Sequence, residues 1–98
     1  MRYDQKFVQS LSQFAPAVLA DIIRRQPASR QRTTFAWTMA VGPALARITT
    51  VELQGRTLVV TARDARWAKE IGRASDTILA RVRYLVGDSV ERIDVITG

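Results

Sequence analysis

Apolar residues recur along this chain with two different periods, and the changes between them mark out its elements. Phe7, Leu11, Phe14 and Val18 are spaced four, three and four apart, which places them on one face of a helix. Pro16 interrupts that face. It lacks an N–H and clashes with the preceding turn, so it opens a second helix rather than sitting inside the first. The pattern predicts a short N-terminal helix and then a helix over 16–26, with Val18, Leu19, Ile22 and Ile23 inward and Pro27 stopping it. A third helix is predicted from Thr33 to Val41, continuing in some form to Arg47. Trp37, Val41, Ala44, Leu45 and Ile48 share its face, and the aliphatic neighbours of Trp37 make it a core anchor. Gly42-Pro43 should kink or split this helix, with Pro43 suited to the first turn of a new segment.

Between Thr49 and Arg63 the period drops to two. Val51 and Leu53 alternate with polar neighbours, as do Leu58, Val60 and Ala62, with Gln54-Gly55 between the runs. Glycine supplies the positive φ of a tight turn, so this is an antiparallel hairpin with one apolar face. Glu52, Thr57, Val59, Thr61 and Arg63 lie on its half-polar side. Asp64 is a good N-cap for a helix starting at Ala65, on which Trp67, Ala68, Ile71 and Ala74 point to one side. Gly72 weakens that helix, and Ser75 is suited to cap another running to Val86. Ile78, Leu79, Val82, Leu85 and Val86 form the core stripe of the second helix, Arg81, Arg83 and Tyr84 lie outside it, and Gly87 terminates it. Val90, Ile93 and Val95 close the chain as a last strand, with Arg92 and Asp94 outward.

From residue 33 the order is helix, strand, strand, helix, helix, strand. A hairpin followed by two helices and a third strand must bury one sheet face against the helices. The fold class is therefore α+β, in the type II order of KH nucleic-acid-binding domains. In those domains a Gly-x-x-Gly loop between the paired helices clamps the nucleotide backbone. Here the junction reads Ile71-Gly72-Arg73-Ala74-Ser75, with serine in place of the second glycine. With 98 residues there is room for one compact unit. Residues 1–33 are expected to form an N-terminal helical segment and basic loop, and residues 34–98 the KH-like domain.

Charge sharpens the picture. Fifteen Lys+Arg against nine Asp+Glu give a net charge of +6, and only Lys6 and Lys69 of the fifteen are lysine. Arginine's planar fork matches phosphate oxygens and stacks on bases, so the excess leans toward nucleic acid or an acidic protein surface. Two groups stand out. Arg24, Arg25, Arg30 and Arg32 form a run without an acid, centred on a Pro-Ala-Ser loop. Arg66, Lys69 and Arg73 fall within about 60° of one another on a helix, a stripe beside Arg63 and flanked by Glu70.

Other chemistries are excluded or unsupported. There is no cysteine and no histidine, so disulfides, thiol catalysis, Ser–His dyads and the usual transition-metal sites are ruled out. Carboxylates are scattered singly; Asp88, Glu91 and Asp94 are three apart, but in a predicted turn and strand start that would not hold two of them in a cleft. No Walker loop or Gly-x-Gly-x-x-Gly run occurs. We therefore expect no enzyme activity, no metal, no cofactor and no small-molecule substrate. No apolar stretch approaches a membrane span, and Met1–Ser10 lacks a signal-peptide core, so a cytoplasmic location without membrane contact is expected.

The string Trp37-Thr38-Met39-Ala40-Val41-Gly42-Pro43-Ala44-Leu45-Ala46 resembles the Trp-x-x-x-Val-Gly-x-x-Leu-Ala signature of the DciA family, bacterial proteins associated with the replicative helicase. Gly55, Leu58 and Val60 resemble that family's Gly-x-x-Leu-x-Val strand. Trp67, Ala68 and Ile71 are similar to its Trp-Ala-x-x-Leu helix, with isoleucine replacing leucine. Ile78, Leu79, Val82, Leu85 and Gly87 resemble its next helix, and Val90, Ile93 and Val95 its closing strand. The likeness spans about residues 16–96. It implies a KH-like domain that binds DNA, single-stranded DNA above all, and assists the loading or operation of the DnaB-type replicative helicase. It implies no nucleotide hydrolysis by this chain. Many members also carry an extension that engages the helicase; here that contact would come from the domain itself, from residues 1–33, or from a region absent from this chain.

Two other readings share the fold and charge: a KH-type RNA-binding protein of ribosome assembly or translation, and an interaction adaptor that binds no nucleic acid. The expected DNA contacts are Arg63, Arg66, Lys69 and Arg73, with Arg24, Arg25, Arg30 and Arg32 beside them. Quenching by an added oligonucleotide tests whether Trp37 and Trp67 are both buried, and little change in the fluorescence is expected.

Overall fold

Pro16 stands at the first position of helix α1 (Pro16–Arg25), where its missing N–H leaves no bond unmade. The computed structural model describes residues 15–98. The expected N-terminal helix, with Phe7, Leu11 and Phe14, lies outside the described residues. Helix α1 buries Leu19, Ala20 and Ile23. Val18, expected inward, is exposed, and Ile22 is only half-buried. The buried face, Leu19, Ala20 and Ile23, is centred near Ile23, and Val18 lies about 150° round from that centre, on the opposite side of the helix.

Helix α2 (Arg30–Val41) begins three residues before the predicted Thr33. Ser29 is its N-cap: the Ser29 hydroxyl accepts the Arg32 N–H at 3.1 Å, satisfying one of the first-turn donors. Gly42 ends the helix at φ +90°, and α3 (Pro43–Ala46) restarts the chain in a new direction, as the Gly-Pro pair predicts. Phe35, Ala36, Trp37 and Ala40 of α2 are buried, with Trp37 only 1% exposed. The Trp37 Nε1–H donates to Thr49 Oγ1 at 2.8 Å, and the same hydroxyl donates to the Leu45 carbonyl at 3.0 Å. One threonine therefore ties α2 and α3 to the first strand.

That strand, β1 (Thr49–Gln54), pairs antiparallel with β2 (Thr57–Ala62), Val51 opposite Val60 and Leu53 opposite Leu58. The turn has two residues, Gly55 and Arg56. Only the first has positive φ (+63°), as a type II′ connection requires. Leu58 and Val60 on the central strand are almost wholly buried, each contributing about 1.5–3 kcal/mol of hydrophobic stabilisation. The final strand β3 (Arg92–Thr97) runs parallel to β2, with Leu58 beside Ile93 and Val60 beside Val95. The sheet order is β1-β2-β3.

The parallel pairing needs a crossover, and two helices supply it. Helix α4 (Ala65–Arg73) packs on β2 and β3, and α5 (Ser75–Val86) packs on α1 and α2. The sequence has Gly72 weakening the first of these, with Ser75 capping the next. Instead α4 runs through Gly72 to Arg73, because glycine weakens a helix only by about 1 kcal/mol and here keeps an ordinary negative φ. The break falls at Ala74 (φ −96°, ψ 7°), and Ser75 makes no side-chain cap. Ile78, Val82 and Leu85 form the buried stripe of α5, and Gly87 ends it at φ +72°. A single 3₁₀ turn (Gly87–Ser89) then leads past buried Val90 into β3. The described residues form an α+β domain with a three-stranded mixed sheet and helices packed upon it, consistent with the KH-like order.

Candidate nucleic-acid interface

Asp64 sets the phase of α4. Its Oδ1 accepts the Trp67 N–H at 2.9 Å, the expected N-cap bond. From that start the helix buries Ile71 and half-buries Ala68, while Arg66, Lys69 and Arg73 are exposed. Arg63, at the end of β2, gives its backbone N–H to the Ile48 carbonyl at 3.0 Å and leaves its side chain outward. Arg73 Nη1 lies 3.4 Å from Glu70 Oε1, an exposed pair that contributes little. Arg63, Arg66 and Lys69 make no side-chain hydrogen bond or ion pair among the described residues. Their charge is available to an external anion.

Trp67 departs from expectation. Its spacing from Ile71 placed it inward, yet it is 41% exposed, and Ala74 is exposed too. Trp67 is the third residue of the helix, in a first turn with few neighbours. At about 100° per residue it sits some 40° off the Ile71 direction, toward Glu70. The side chain is too large to follow Ile71 under the helix, so α4 buries one residue rather than a stripe.

The other basic group is taken up differently. Arg24 and Arg25 end α1, Arg30 and Arg32 begin α2, and only residues 26–29 lie between the helices. Arg24 Nη2 donates to the Tyr84 carbonyl at 2.7 Å, and Arg32 Nη2 to the Val86 carbonyl at 3.4 Å. These are carbonyls of the last turn of α5, which lack partners within their own helix. Arg25 pairs with Asp21 at 3.0 Å across one turn of α1. Arg30 alone of the four makes no such contact among the described residues. Two of the four arginines thus reach across from α1 and α2 to the end of α5. Beside them Arg30 and Arg32 border a cleft of about 310 Å³ floored by Ala36, Leu58 and Val82. Arg32 Nε is buried there without an acceptor among the described residues.

The segment corresponding to a Gly-x-x-Gly clamp, Gly72 to Ser75, is helix on both sides of Ala74 and forms no open loop. Among the described residues no cluster of three or more acidic, histidine or cysteine side chains is placed to hold a metal. No helix among them is long and apolar enough to cross a membrane.

What the fold and its surface define is a small KH-like domain whose sixth element of chain order, α4, presents Arg66 and Lys69 without partners among the described residues. The chain belongs to the DciA family: the family profile described as "Dna[CI] antecedent, DciA" matches residues 8–95 of its 98. That family is associated with the DnaB replicative helicase. Comparison with the curated proteins and with the solved structures gives no match.

Proposed function

We propose that this domain is a DNA-binding accessory of the DnaB-type replicative helicase, acting in the cytoplasm to assist its loading or operation, and that α4 is its principal contact with single-stranded DNA. The observation that carries the proposal is the run Arg63, Arg66 and Lys69, three outward cations with no counterion among the described residues, in a member of a helicase-associated family. Arg73, loosely held by Glu70, extends the same face. Arg30 adds positive charge at the α1–α2 corner, where Arg25 is paired with Asp21. Arg24 and Arg32 have structural work to do at the end of α5 and contribute mainly through the field around it.

Each phosphate neutralised on a single strand releases counterions, with a slope of about −0.7 per contact in log affinity against log salt. Three contacts predict a loss of roughly 20-fold between ~50 and ~200 mM salt. The test is fluorescence anisotropy of a labelled single-stranded DNA at both salts, with the variant Arg66→Glu/Lys69→Glu/Arg73→Glu alongside. The variant should lose most of the binding and the salt dependence while keeping its circular dichroism. Unchanged affinity in a folded triple variant refutes the assignment to α4. Tighter binding of an RNA of the same sequence would point instead to an RNA-binding role.

A further inference from the structure

Among the described residues four large apolar side chains are exposed: Val18, Trp67, Tyr84 and Ile96. Three of them have unremarkable settings. Val18 lies on α1 near the internal Asp21–Arg25 pair, and Tyr84 lies next to Arg83, which is paired with Asp88 at 3.2 Å. Ile96 stands beside Thr61 on the outward side of the sheet. Trp67 differs in that its neighbours in the chain carry uncompensated charge. Arg66 precedes it, and Arg63 stands four residues earlier, at the end of β2 just before the Asp64 cap, both without side-chain partners among the described residues. Its backbone is also held, through the 2.9 Å bond to Asp64, so the indole projects from a fixed point rather than from a mobile loop.

A flat indole left in water between unpaired arginines matches one ligand chemistry closely. A single-stranded polynucleotide offers a π-face at each base and a phosphate on either side of it. A duplex keeps its bases stacked and presents none. We propose that Trp67 is a stacking platform for one base of single-stranded DNA, with Arg63 and Arg66 taking the flanking phosphates; this deepens the function proposed above and rests on it. The helix that the sequence reads as a core element then has two surfaces, Ile71 holding it to the sheet and Trp67 meeting the strand.

The two tryptophans make the test direct. Trp37 is 1% exposed with its N–H bonded to Thr49, so an oligonucleotide reaches only Trp67. Single-stranded DNA should quench a large part of the emission of the unmodified protein, and almost none in Trp67→Phe. Trp67→Leu, which keeps apolar bulk without a π-system, should weaken binding by about 5-fold to 150-fold, the range seen when one stacked base is lost. Trp67→Phe should retain most of the affinity. An abasic oligonucleotide of equal length, with all its phosphates but no bases, should bind more weakly and quench little.

Equal affinity of Trp67→Leu and the unmodified protein, or equal binding of abasic and ordinary strands, overturns the stacking role. If the charge-reversed α4 variant loses binding while Trp67→Leu keeps it, this inference falls and the proposed function stands. Absence of binding by the unmodified protein at ~50 mM salt overturns both. Unchanged DNA binding by Trp67→Leu with loss of helicase binding would assign the indole to a protein contact instead.

Discussion

Replacing Thr49 by valine tests how far one hydroxyl holds the helical layer to the sheet. The substitution keeps the β-branched shape at the start of β1, where valine is at home, and removes only the Oγ1 that joins Trp37 to Leu45. The two ends of that link fare differently. The Leu45 carbonyl keeps a second donor, the Ile48 N–H at 3.2 Å, and so remains satisfied. The Trp37 indole N–H has no other acceptor among the described residues and is buried in a side chain 1% exposed. The cost is therefore that of one orphaned buried donor, about 1–3 kcal/mol. At the middle of that range the thermal midpoint of a domain this size falls by about 8–16 °C. Urea denaturation followed by far-UV circular dichroism measures the loss, and tryptophan emission reports whether the indole stays dry. A double-mutant cycle with Trp37→Phe isolates the bond: in the Thr49→Val background the second substitution should cost about 1–2 kcal/mol less than it does alone. A Thr49→Val variant within about 0.5 kcal/mol of the parent, the range of an ordinary surface change, refutes the reasoning.

Two further outcomes follow from the backbone and the α1–α2 corner. Gly42 sits at φ +90°, ψ 158° with nothing within 4 Å of an added Cβ, so Gly42→Ala should cost about 1–3 kcal/mol from backbone strain alone, read from its urea midpoint. Arg32 has one long bond to Val86 and a buried Nε without an acceptor, so Arg32→Met should lose no more than about 0.5 kcal/mol and is expected to gain where the methionine stem fills the cleft. A loss above about 2 kcal/mol in the latter would show that the guanidinium contributes more than its bonding indicates.

Much of the fold was legible because its elements carry local signals that agree with their packing. Pro16, Gly42-Pro43, Gly55, Asp64 and Gly87 each punctuate the chain where the sequence places them. The alternation of Val51, Leu53, Leu58, Val60 and Ala62 sets the register of the hairpin without help from other elements. Where reading failed, two signals competed. Ser29 is a sound N-cap, but it lies within a run of arginines that reads as a solvated loop, so the pattern places the start of α2 at Thr33 and not at Arg30. Gly72 looked like a helix breaker, yet the chain turns at Ala74, where the angle between α4 and α5 is set by how each helix meets the sheet and α2.

The candidate interface was legible in its charges and not in its aromatic. Charges on a helix declare their side by spacing alone, because a charged side chain has almost nowhere to go but outward. A tryptophan gives no such signal, since the same residue serves as a core anchor at 37 and stands in solvent at 67. The difference lies in what each one meets. Trp37 falls in the third turn of a long helix, with Ala36 and Ala40 leaving room for close approach and Thr49 supplying an acceptor. Trp67 falls in the first turn of a nine-residue helix whose only buried residue is Ile71, and no acceptor among the described residues reaches its indole. A helix held by one deep side chain and flanked by unpaired cations has its large aromatic left over. That surplus is what a surface selected only for stability would shed, which is why the weight of the functional reading falls on α4 rather than on the longer arginine run at 24–32.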